Sequence, residues 1–104
     1  MSKSVEEAAA DFQAATDAHR VAVDRKYKAW VIERLNKRVR AERNALESAS
    51  QGNPEHPLAK LMLREVALLF EAGDANEPEQ DALLLKHGAA GSALDEAVAE
   101  FVKS

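Results

Sequence analysis

The sequence predicts an all-α fold: one long N-terminal helix packed by two to three shorter C-terminal helices, a helical bundle completed by oligomerisation. Three observations lead there. The 104 residues are rich in Ala, Leu, Glu, Lys and Arg, which lose little side-chain freedom in a helix. No window alternates apolar and polar residues with the period of two that marks a half-buried strand. All four glycines and all three prolines fall between Gly52 and Gly91, so the first half of the chain contains neither helix breaker.

The first helix is expected over about 5–50. Ser4-Val5-Glu6-Glu7 is a capping box: the Ser4 hydroxyl can accept the Glu7 backbone N–H, and two acids suit the positive end of the helix dipole. The next interruption is Ser48-Ala49-Ser50-Gln51-Gly52-Asn53-Pro54. Helix 2, about 55–72, starts at Pro54 or Pro57, is capped with help from His56, and stops at Gly73-Asp74. Helix 3, about 77–87, has Asn76 as its N-cap and Gly88 as a left-handed C-cap. Helix 4, about 93–102, is capped by Ser92. The length suits a single domain.

A straight helix of some 45 residues would be roughly 65–70 Å long at the α-helical rise, too long for the rest of the chain to cover. Its apolar pattern also divides. Val5, Ala9, Phe12, Thr16, His19, Val23, Tyr27 and Trp30 form one stripe, whereas Val31, Ile32, Leu35, Val39 and Leu46 form another, offset by more than a quarter turn. Two stripes imply two partners. The chain's own helices are expected on the second stripe. A protein partner, most simply a second copy in a homodimer, is expected on Val5, Phe12, His19, Val23, Tyr27 and Trp30. If the helix breaks, the changeover at Trp30-Val31 is the expected kink. Leu58, Leu61, Met62, Val66, Leu69 and Phe70, then Leu83-Leu84-Leu85, and then Leu94, Val98, Phe101 and Val102 are the expected core contributions of helices 2 to 4.

The formal charge of −4 conceals segregation. Residues 20–43 carry nine bases and three acids, whereas residues 44–104 carry four bases and eleven acids. Arg25, Lys26, Lys28, Arg34, Lys37, Arg38 and Arg40 are therefore candidates for contact with nucleic acid or an acidic partner, with Trp30 available to stack on a base. The plainer reading has these cations solvated or paired with acids, and the acidic overall balance favours it.

Cysteine is absent, which excludes disulfides, thiolate metal sites and cysteine nucleophiles. With no apolar leader run, a cytoplasmic location is expected. The most apolar stretch, Leu58 to Phe70, is broken by Lys60, Arg64 and Glu65 and is too short to span a bilayer. His19, His56 and His87 lack the i+3 or i+4 partners of a helical metal site, and no Glu-x-x-His, phosphate loop or nucleophile elbow occurs. The paired acids lie in first turns, where capping accounts for them. No enzymatic activity, cofactor or metal is expected. The reading is a non-enzymatic protein–protein interaction or regulatory module, with a small nucleic-acid-associated regulator as the alternative.

Overall fold

A computed structural model describes residues 3–104, which contain four α-helices and no strand: α1 (Val5–Asp24), α2 (Ala29–Gln51), α3 (Pro57–Asp74) and α4 (Glu77–Lys103). They form two antiparallel hairpins, α1–α2 and α3–α4. Contact is extensive within each hairpin and sparser between them, where α1 meets α4 and α2 meets α3.

The expected long helix is two helices. The chain reverses at residues 25–28, ahead of the anticipated kink at Trp30-Val31. The turn is a Schellman closure: the Tyr27 N–H donates to the Ala22 carbonyl at 3.0 Å and the Lys26 N–H to the Val23 carbonyl at 3.1 Å. Lys26 takes the left-handed position (φ 54°), the one non-glycine residue among those described with positive φ. Glycine normally fills this place, so its absence hid the stop. Reversal also accounts for the two offset stripes. The first follows α1 and ends at Tyr27 in the turn and Trp30 at the start of α2; the second lies on α2, which runs back in the opposite direction.

A second signal lay in the alanines. Ala8, Ala15 and Ala22 recur every seven residues and are buried in α1. Small side chains at that spacing let two helix backbones approach closely along a heptad seam. α2 begins without a side-chain cap, since Lys28 occupies the N-cap position.

The remaining starts follow their sequence signals. The Glu7 N–H donates to Ser4 Oγ at 3.1 Å, and the Leu58 N–H donates to His56 Nδ1 at 3.1 Å. The Glu79 N–H donates to Asn76 Oδ1 at 3.4 Å. The last turn of α3 is closed from its partner helix, where Gln80 Nε2 donates to the Ala72 carbonyl at 3.0 Å.

The expected helices 3 and 4 are one continuous α4. Gly88 does not take a left-handed conformation, and Ser92 lies inside the helix rather than capping one. A single glycine weakens a helix by about 1 kcal/mol but does not break it, and the surrounding alanines favour continuation.

The shared core draws on the ends of the helices remote from the 25–28 and 75–76 turns: Val5, Ala8, Ala9 and Phe12 of α1, Leu46 of α2, Leu58 and Met62 of α3, Leu94 and Val98 of α4. His56 ties this end together. Its Nε2 lies 3.2 Å from Glu6 Oε1, and its ring meets Phe101 edge-on at 5.9 Å. Beyond the core the hairpins diverge. No residue from Arg25 to Ala45 is buried, and none from Glu77 to Ala93. The molecule measures 36 × 36 × 24 Å, as broad as it is long, where hairpins packed side by side along their whole length would form a narrower column.

Candidate interaction surface

Divergence of the hairpins leaves large apolar side chains in solvent. On the α1–α2 tip these are Val21, Val23, Tyr27 and Trp30, the last 62% exposed. On the α3–α4 hairpin they are Leu63, Leu69, Phe70, Leu84 and Leu85, with Phe70 at 71% and Leu85 at 77%; Val102, at the opposite end of α4, is exposed as well. Isolated exposed leucines are ordinary; this many large apolar side chains exposed on two adjacent helices is not.

The expected partner face is therefore split. Val23, Tyr27 and Trp30 are exposed and His19 is half-buried, but Val5 and Phe12 are not surface residues. Phe12 is 1% exposed and lies in the chain's own core with Val5. The reason is the reversal at residues 25–28: folding α2 back brings the early part of the first stripe into the bundle and leaves its end at the tip. Val102, at the far end of α4, is exposed against expectation, and Leu69, Phe70, Leu84 and Leu85 move at the tip from expected core to surface. Their helical spacing was legible, but the divergence that uncovers them is a tertiary property.

All seven candidate cationic residues are exposed. Arg25, Lys26 and Lys28 stand at the turn, and Arg34, Lys37, Arg38 and Arg40 follow on α2. Trp30, Glu33, Arg34 and Lys37 line one shallow groove of about 300 Å³, so the structure brings the tryptophan together with two of the cations.

A second polar cluster lies where the hairpins approach above the core. Glu65 of α3 is 3% exposed; its Oε1 lies 2.9 Å from Arg43 Nη1 of α2 and 3.4 Å from His87 Nε2 of α4. Asp95 stands 4.0 Å from the same guanidinium, which also covers the Phe12 ring at 5.6 Å. Gly91 faces this group; a Cβ there would lie 3.6 Å from Glu65 Oε1. His87, expected at a helix C-terminus, is instead mid-helix and faces Glu65. Burial pushes the Glu65 carboxyl above the usual carboxylate range, against the opposing pull of Arg43 and His87. Burial raises Asp95 likewise, with Arg43 and Arg20 opposing. Glu65 Oε2, Asp95 Oδ1, Arg43 Nε and Thr16 Oγ1 are buried without a hydrogen-bond partner in the protein, so the network is only partly satisfied.

Beside it, Gln13, Arg20, Ser92, Asp95, Glu96 and Ala99 line a second shallow groove of about 290 Å³. Glu65 and His87 do not line it, whereas Asp95 belongs to both the cluster and the groove. Among the described residues no group of three or more histidines and carboxylates is placed to hold a metal ion, and no helix is long and apolar enough to cross a membrane.

These features define the class: a four-helix protein of two antiparallel hairpins, joined at one end and open at their tips. No family model, curated protein or solved structure matches the chain.

Proposed function

We propose that the chain is a non-enzymatic protein–protein interaction module that presents its two hairpin tips to a protein partner. The single observation that carries this reading is the exposure of Trp30, Phe70 and Leu85 on helices whose other ends supply the shared core. Covering each of these side chains is worth about 1.5–3 kcal/mol in water, so the tips favour association. Aromatic anchors of this kind dominate the energetics of interfaces. Buried Glu65 ties α3 to the partly exposed Arg43 of α2 and His87 of α4, and holding these three helices together is the role this reading gives the cluster. A cytoplasmic location belongs to the same reading and rests on the absence of cysteine.

The test is a photo-activatable residue in place of Tyr27 or Leu84, with one in place of Gln51 as the control at the opposite end. Protein adducts are expected from the two tip positions and not from residue 51. Adding Phe70→Asp with Leu85→Asp is expected to remove the Leu84 adducts without loss of helix content. The absence of tip adducts in the native cell, or adducts indifferent to those substitutions, overturns the reading.

One observation favours a second function, that of a small nucleic-acid-associated regulator: Trp30 shares its groove with Arg34 and Lys37. Phosphate contacts there would make binding to DNA or RNA fall steeply with salt. Failure to bind either at low ionic strength removes this alternative.

A further inference from the structure

The two tips carry opposite charge. Residues 20–38, around the α1–α2 turn, hold seven bases and two acids. Residues 69–85, around the α3–α4 turn, hold five acids and no base. Each segment also bears the exposed apolar side chains of its hairpin: Tyr27 and Trp30 on the first, Phe70 and Leu85 on the second. Apolar centres within charged surroundings of opposite sign have the composition of two halves of one interface.

Within one chain the two surfaces do not cover each other, because the hairpins diverge beyond their common core. A second copy supplies both complements at once. We propose that the basic, aromatic α1–α2 tip docks on the acidic, leucine-bearing α3–α4 tip of a second copy of this chain, and that a two-fold axis repeats the contact to close a dimer. This rests on the interaction-module reading and names its partner. Isologous closure uses all four tips and leaves neither sign of charge unmatched. Pairing two acidic tips would instead set five acids against five, and pairing two basic tips would oppose their surplus cations. Charge thus selects the unlike pairing, while the apolar side chains supply most of the adhesion.

Charge reversal in trans tests the arrangement. One variant carries Arg34→Glu and Lys37→Glu; the other carries Glu71→Lys and Asp81→Lys. All four positions are exposed, outside the shared core, and circular dichroism of each variant checks its folding. Sedimentation of the wild type is expected to show a monomer–dimer equilibrium that weakens with salt. Each variant alone is expected to associate at least about tenfold more weakly. Their equimolar mixture is expected to regain dimers, because each junction in the mixed pair again joins unlike charges. A wild type that stays monomeric overturns the inference, while the tip crosslinks above still decide the broader reading separately. Dimers unaffected by either variant, variants not rescued by mixing, or open-ended oligomers growing with concentration also overturn it.

Discussion

Arg43 on α2 and Glu65 on α3 meet at 2.9 Å, and the contact joins the two hairpins where their packing begins to open. Glu65 is enclosed, whereas the Arg43 side chain remains one-third exposed and reaches past it toward Asp95. Removing the arginine strands a buried carboxylate. Arg43→Ala is expected to cost roughly 2–3 kcal/mol, below the usual loss for a fully buried pair because solvent screens Arg43 and His87 remains near Glu65. Urea denaturation at neutral pH measures it, and Arg43→Lys is expected to fall between the two.

The same carboxyl gives a pH signature with a definite sign. Its pKa in the folded chain is raised above 4.5, chiefly by burial. Arg43 of α2 and His87 of α4 oppose the rise, while Asp95 of α4 and Glu47 of α2 add to it. The folded state therefore holds this proton more tightly than the unfolded chain. The contribution to stability is present in full below the unfolded value and is lost as pH climbs through the interval up to the folded one. Asp95 acts in the same direction from its own ordinary value of 3.8. Glu65→Gln cannot titrate, so its stability relative to wild type is expected to improve as pH rises across that window and then level off. Paired denaturation curves from acid to neutral pH check this; a constant difference contradicts it.

Lys26 holds a left-handed conformation that costs a residue with a Cβ roughly 1–2 kcal/mol. Lys26→Gly is expected to relieve most of that cost, offset in part by the greater freedom of glycine in the unfolded chain. The net gain should be about 0.5–1 kcal/mol. Lys26→Val should lose stability, since a β-branched side chain fits this region worst. Thermal unfolding of the pair reads the contrast.

Gly88 lies in the middle of α4, and a Cβ built on it would meet nothing within 4 Å. Gly88→Ala is accordingly expected to stabilise the chain by about 0.5–1 kcal/mol through helix propensity alone. Were Gly88 a helix terminus in the left-handed conformation, the same change would be destabilising. Chemical denaturation therefore also tests whether α4 is continuous.

The local instructions were plain in the sequence. Ser4, His56 and Asn76 cap the helices they were expected to cap, because a short polar or imidazole side chain beside orphan N–H groups has few other uses. The α3 apolar pattern and the all-helical class follow from composition and period. The reversal at Lys26 was not legible, because the closure there depends on backbone hydrogen bonds and a left-handed lysine that surrounding contacts must hold. The continuity of α4 through Gly88 and Gly91 was missed for the complementary reason: glycine permits a stop without requiring one.

The candidate surface divides along the same line. The charge segregation, the Trp30–Arg34–Lys37 neighbourhood and the membership of Val23, Tyr27 and Trp30 in one apolar stripe could be read from spacing alone. Which apolar residues are buried could not. Phe12 and Phe70 each occupy a helix stripe of the same kind, yet one is packed beneath Arg43 and the other stands in solvent. A periodic pattern fixes which face of a helix is apolar; only the crossing of the hairpins determines how far along each helix that face is covered.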